Sequence, residues 1–136
     1  MRGKALNKEA GQGKSVKPDR RRETGQYGEE AACGYLQQKG YRIIERNWRC
    51  RSGEIDIVAE EDGRLVVVEV RTRRSARRFG TAAESVNYRK QKQVADTAQF
   101  YLRTRGFGDV SVRFDVITVE LDGAFVREIN HIEAAF

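Results

Sequence analysis

Four charged side chains fall at alternate positions of one short, strongly apolar stretch: Glu54 and Asp56 in Gly-Glu-Ile-Asp-Ile, then Glu69 and Arg71 in Val-Glu-Val-Arg. Side chains alternate across a strand, so each pair shares one face. A carboxylate among valines and isoleucines lowers strand propensity, and burying it costs several kcal/mol unless it is paired or metal-bound. A single acid of this kind would be a solvent-facing charge or the partner of Arg71. The whole set has a different chemistry, because carboxylates crowded on one face repel one another until a hard divalent cation neutralises them.

The elements that must position these acids are two strands. Ile55 and Ile57 lie before Glu60-Glu61-Asp62-Gly63, and Val66, Val68 and Val70 lie after it, which predicts a β-hairpin. A four-residue loop at 60 to 63 would set Ala59 opposite Arg64, Asp56 opposite Val67 and Glu54 opposite Glu69. Diagonal neighbours on one face lie roughly 7–8 Å apart, close enough for Asp56 and Glu69 to share one cation. Upstream, Tyr41 to Arg49 alternates loosely through Ile43, Ile44 and Trp48 and reads as the strand that leads into the hairpin. Trp48 belongs to the core on this reading.

Gly25 to Lys39 carries Ala31, Ala32, Tyr35 and Leu36 and meets Gly40 as a C-terminal cap, the pattern of an amphipathic helix. The helix separates two neighbouring acids. Three, four and seven residues beyond Glu29 come Ala32, Cys33 and Leu36, all apolar, so Glu29 projects from the packed face; beyond Glu30 come Cys33, Gly34 and Gln37, a wet side.

With Asp56, twelve intervening residues and then Glu69-Val70-Arg71, the chain resembles the PD-(D/E)xK nuclease motif. Gly53-Glu54-Ile55-Asp56 together with Val68-Glu69-Val70-Arg71-Thr72-Arg73 is similar to the YraN family of bacterial endonuclease-like proteins. The resemblance extends to Gly25-x-x-Gly28-Glu29, Asn47-Trp48-Arg49-Cys50, Arg113-Phe114-Asp115-Val116 and His131-Ile132-x-x-Ala135-Phe136, and so covers residues 25 to 136. It implies an α/β, restriction-endonuclease-like core: a mixed sheet flanked by helices in the order helix, three strands, helix, strands. It also implies a metal-dependent DNA endonuclease similar to Holliday junction resolvases, acting on branched or single-stranded DNA with Mg²⁺ or Mn²⁺. Asp56, Glu69 and the Val70 carbonyl would then be metal ligands. Glu29, which the motif also selects, would back them or hold a second ion, and Glu54 would assist.

Two departures from the motif stand out. Ile55 replaces its proline, and Arg71 replaces its lysine. Arginine stabilises phosphate charge but does not give up its proton. A rival reading is therefore a non-catalytic nucleic-acid-binding module or an adaptor of a DNA-processing complex that keeps the nuclease fold. A homodimer is compatible with either reading.

Beyond Arg71 the chain runs through Arg73, Arg74, Arg77 and Arg78. A phosphodiester substrate needs cationic donors beside the cut, and arginine binds phosphate bidentately, so these four are expected at the DNA. Thr81 to Arg105 has helical spacing and ends at Gly106. Arg89 and Lys90 near its start are expected at the DNA backbone; the resemblance also implies that a polar residue of this helix approaches the site, Lys90 or Gln91, with Gln91 as an auxiliary group. Val112 to Leu121 and Ala124 to His131 flank Asp122-Gly123, the signal for a second hairpin. Asp115 sits in an apolar run and is expected to be satisfied internally by an arginine or a backbone amide, with His131 structural.

The 136 residues suit one domain. Net charge is +6, but residues 1 to 24 hold eight Lys/Arg against three Asp/Glu, so most of the excess is a basic tail. With almost no large apolar residue, residues 1 to 24 are expected to be disordered, serving either solubility or attraction to polyphosphate. No apolar run approaches the roughly 20 residues a membrane span needs, and no secretory h-region appears. Cys33 and Cys50, without a Cys-x-x-Cys and with the lone His131, make a zinc site unexpected and suit reduced thiols in the cytoplasm.

Overall fold

The computed structural model describes residues 20–74 and 86–136. Among the described residues the element order is α1 (Arg20–Gln38), β1 (Arg42–Cys50), β2 (Gly53–Glu61), β3 (Arg64–Arg73), α2 (Tyr88–Arg105), β4 (Val112–Asp122) and β5 (Phe125–Ile132). The strands form one sheet in the order β1-β2-β3-β4-β5. Every neighbouring pair is antiparallel except β3 and β4, which run parallel with α2 on the crossover between them. This is the mixed sheet with flanking helices that the resemblance implies. No helix among the described residues is long and apolar enough to cross a membrane.

Helix α1 starts at Arg20, five residues before the expected boundary, so residues 20 to 24 belong to the helix and not to the tail. Arg, Glu and Gln are good helix formers, and charge alone does not stop a helix that has an apolar face to dock. Its C-terminus closes as expected at Gly40, in the left-handed region (φ 95°), with the Tyr41 N–H donating to the Leu36 carbonyl at 2.9 Å. Helix α2 is described from Tyr88, and the expected start at Thr81 lies outside the described residues. Asn87 caps it, its side chain accepting from the Lys90 N–H at 2.9 Å, and Gly106 ends it in the left-handed region.

The hairpin turn is tighter than the spacing suggests. Glu61 pairs with Arg64, leaving Asp62 (φ 52°) and Gly63 (φ 78°) as the two turn residues. Positive φ at both positions is the mirror-image turn that matches strand twist and that Asp-Gly favours. The register is therefore Ala59↔Val66 and Ile57↔Val68, two residues away from the expected pairing of Ala59 with Arg64. Because side chains repeat every two residues, a two-residue shift keeps Glu69 and Arg71 on their face.

The core lies on both sides of the sheet. Ala32, Cys33 and Leu36 of α1 cover Ile57, Ala59, Val66 and Val68 together with Ile117, Val119 and Leu121. Val94, Ala98 and Tyr101 of α2 cover Ile55, Val58, Leu65 and Val67, with Trp48 edge-on to Tyr101 at 5.2 Å. Strict alternation would put Ile55 and Ile57 on one side of the sheet, yet they pack on opposite sides. The break falls at Asp56. Opposite it, Asn47 of β1 sits in the left-handed region (φ 52°), between the pairs Arg46↔Ile57 and Trp48↔Ile55. An asparagine tolerates this conformation where most side chains do not.

Candidate active site

The β2–β3 ladder ends at Ile57↔Val68, where Asp56 and Glu69 would come next. The strands part there, and the Asp56 carboxylate takes over from the backbone, its Oδ2 accepting from the Val70 N–H at 2.8 Å. A strand residue presents its N–H and C=O to the same edge, so the Val70 carbonyl also faces this gap. The middle of α1 and the first turn of α2 flank it.

On one side is Glu29. Its helix approaches β3 so closely that a Cβ on Gly28 would overlap the Thr72 hydroxyl and lie 2.8 Å from Thr72 Cβ and Cγ2. Gly28 thus sets how far α1 can descend, and Glu29 is the next residue. Glu29 is half-buried and Glu30 exposed, paired with Arg46 at 3.4 Å. One carboxyl oxygen each of Glu29, Glu54 and Asp56 lies within 4.8 Å of the others. Glu54, expected only to assist, is a full member of this group and also pairs with Arg49 at 3.5 Å.

On the other side is Glu69, 6% exposed, between Arg71 at 3.5 Å and Lys90 at 3.6 Å. Of the two α2 residues expected to approach the site, Lys90 does so, bringing a lysine ammonium to the acidic site from α2. The amine that the motif places on β3 thus reaches the carboxylates from another element.

The electrostatics agree with crowding. Burial pushes the Glu69 carboxyl up to about 7, aided by the charge of Asp56 and opposed by Lys90 and Arg71. Burial likewise raises Asp56 against the hydrogen bond from Val70, and Glu54 adds to the rise. Glu29 is raised by burial and by Asp56, while a hydrogen bond to Asn47 pulls it back. Carboxylates whose proton affinity is raised by crowding, with oxygens converging within 4.8 Å, are a donor set suited to a hard divalent cation.

Other expected contacts fall elsewhere. Arg74 donates to Thr24 Oγ1 at 2.6 Å and to the Gly123 carbonyl at 2.7 Å, lies 4.0 Å from Glu23, and covers the Tyr27 ring. It ties α1 to the β4–β5 turn and is not an outstretched DNA contact. The Gln91 side chain donates to the Val86 carbonyl at 2.9 Å, which commits its amide to the start of α2. Arg73 and Arg71 are half-buried and Arg89 is exposed, while Arg77 and Arg78 lie outside the described residues. Side-chain chemistry does not single out Asn47; an asparagine in the middle of a strand pattern, a poor β former, is its only local signal.

Asp115 is fully buried and satisfied as expected. Arg113 grips it with two hydrogen bonds at 2.9 and 2.8 Å, the Ala134 N–H donates at 3.0 Å, and His131 Nε2 lies 2.7 Å away. Burial would raise this carboxyl, but its partners outweigh burial and hold it down at about 2. His131 Nδ1 meets the Tyr35 hydroxyl at 3.1 Å. These residues brace α1 and the C-terminus against the sheet. Cys33 and Cys50 are not joined in a disulfide.

A strand pair parted over converging carboxylates, in a mixed sheet with a helix on each face, defines an α/β protein with an acidic site. Residues 28–119 match the model of "Uncharacterised protein family UPF0102", the YraN family, and the chain belongs to that family. Its relatives include a UPF0102 protein of Desulforamulus reducens, 50% identical over 118 residues covering 85% of this chain and 96% of that one. Another, from Moorella thermoacetica, is 52% identical over 102 residues, covering 75% and 84%. Among solved structures, an EndoMS–dsDNA complex aligns with 77% of this chain and 38% of its own at a TM-score of 0.40 and 15% identity. Pyrococcus furiosus SfsA in complex with Ca²⁺ aligns with 83% and 63% at a TM-score of 0.33 and 12% identity.

Proposed function

We propose that this protein is a metal-dependent DNA endonuclease that hydrolyses phosphodiester bonds, with branched or single-stranded DNA as its substrate. The observation that carries the reading is the convergence of Glu29, Glu54 and Asp56 within 4.8 Å, beside a Glu69 held by Lys90 and Arg71. Mg²⁺ or Mn²⁺ held by Asp56, Glu54 and Glu29, with Glu69 and the Val70 carbonyl completing the set, would stabilise phosphate charge and make water a better nucleophile.

The chain's own residues supply the remainder. Arg71 offers a planar fork to a phosphate oxygen. Lys90 offers a compact positive charge and hydrogen-bond donors where negative charge grows during displacement. Asp56 is held in place by Val70, so its orientation does not depend on a ligand. Arg73 and Arg89 would supply further positive charge to the DNA backbone, as would Arg77 and Arg78 of the same arginine run in the sequence.

The test combines calorimetry with cleavage. Mg²⁺ or Mn²⁺ should bind the wild-type protein and bind Asp56→Ala far more weakly, and labelled single-stranded, nicked or four-way DNA should be cut only with metal. If the wild type is inert on all these forms and on duplex with both metals, and Arg71→Lys is also inert, the nuclease reading fails. A non-catalytic DNA-binding module that retains the fold would replace it.

A further inference from the structure

The first turn of α2 presents an aromatic ring to solvent. Tyr88 is 78% exposed, and it lines a shallow concavity of about 470 Å³ with Ser52, Arg89, Lys92, Gln93 and Asp96. A lone exposed tyrosine is ordinary; its surroundings here are not. Arg89 follows it, the exposed Arg51 adjoins Ser52, and the one acid of the concavity, Asp96, is paired with Lys92 at 3.2 Å. The ring therefore stands in a positively charged setting.

The concavity is built on the same two elements as the acidic site. On α2, Lys90 in the same turn as Tyr88 reaches Glu69 from the sheet-facing side of the helix. On the sheet side, Ser52 is two residues from Glu54, about 7 Å of extended chain, and its carbonyl accepts from the Gln93 side chain at 3.1 Å, which locks this wall to the helix. Gly53 permits the close packing, since a Cβ there would lie 3.0 Å from Thr97 Oγ1.

We propose that Tyr88 stacks an unpaired base of the nucleic-acid substrate while Arg89, Lys92 and Arg51 follow its backbone. The proposal rests on the nuclease reading above and makes its substrate a single strand, or a junction with an unpaired nucleotide beside the bond to be cut. In a duplex both faces of a base are covered by its neighbours, leaving nothing for the ring to stack on. Single-strand sites combine a cationic track with aromatic platforms of this kind.

The experiment measures binding of the full chain in EDTA, without turnover, to a single strand and to a duplex of equal length, each containing 2-aminopurine. Tyr88→Ala should weaken single-strand binding about 5- to 100-fold, the range of base–aromatic stacking, and leave duplex binding within about twofold. Tyr88→Phe should bind like the wild type, and the 2-aminopurine emission change should persist with Phe and vanish with Ala. Equal losses on both DNAs, no loss on either, or a Phe variant as weak as Ala would each overturn stacking. Cleavage assayed in parallel separates the two readings: Tyr88-dependent single-strand binding without cleavage sinks the nuclease and keeps the platform, and cleavage indifferent to Tyr88 does the reverse.

Discussion

Replacing Glu69 by glutamine should stabilise the metal-free protein at pH 8 and do much less at pH 5. Glu69 is buried beside Asp56, and its carboxyl is pushed up from 4.5 to about 7. A carboxyl with a raised folded pKa binds its proton more tightly in the native state, so the native state loses stability as pH climbs from the unfolded value through the folded one. A tenfold difference in proton affinity between the two states corresponds to about 1.4 kcal/mol. At pH 8, where Glu69 is ionised in both states, the cost is therefore about 3 kcal/mol; at pH 5, where the native group is protonated, it is about 1 kcal/mol. Glutamine keeps the shape and never ionises. Melting temperature should rise by roughly 10 °C at pH 8 and by only a few degrees at pH 5. Mg²⁺ should narrow the difference by stabilising the wild type more than the variant. The assay is thermal unfolding of both proteins at the two pH values, with and without metal. A Gln variant that is less stable at pH 8, or shifted equally at both, would show that Lys90 and Arg71 fully offset the burial of Glu69 and that the site stores no electrostatic strain.

Lys90→Ala should lower DNA cleavage about 10²- to 10³-fold, the scale of losing one preorganised electrostatic donor, with Arg71→Lys retaining activity because it keeps the charge; single-turnover rates decide it. Gly28→Ala should cost about 1–3 kcal/mol through overlap with Thr72 and weaken metal binding by lifting Glu29, which urea unfolding and calorimetry measure. Asp115→Asn should destabilise by roughly 3–5 kcal/mol, since Arg113 and His131 lose a buried partner. Because the Asp115 carboxyl is held at about 2, its contribution is present above the ordinary carboxylate range and lost as pH falls through 2. Acid unfolding of the Asn variant should accordingly show a shallower pH dependence between 4 and 2.

The local pattern of residues determined much of this protein. Alternating β-branched positions marked β2 and β3, Gly40 and Gly106 marked helix ends, and the apolar neighbours of Glu29 chose it over Glu30. The hairpin was legible although its spacing suggests too long a turn, because an error of two residues preserves which face each acid occupies. The satisfied state of Asp115 was also foreseeable, since an acid in a doubly covered strand must find partners. Tertiary structure decided how the expected groups are arranged around the site. Lys90 meets Glu69 because α2, on the crossover between parallel strands, docks on β2. Glu54, Asp56 and Glu29 converge where β2 breaks its alternation opposite Asn47. Arg74 was drawn away from the arginine run by Thr24 and the Gly123 carbonyl. Periodicity reports the face of one element, whereas strand splay, helix descent and crossover geometry set the distances between elements, and those depend on packing contacts far apart in the chain.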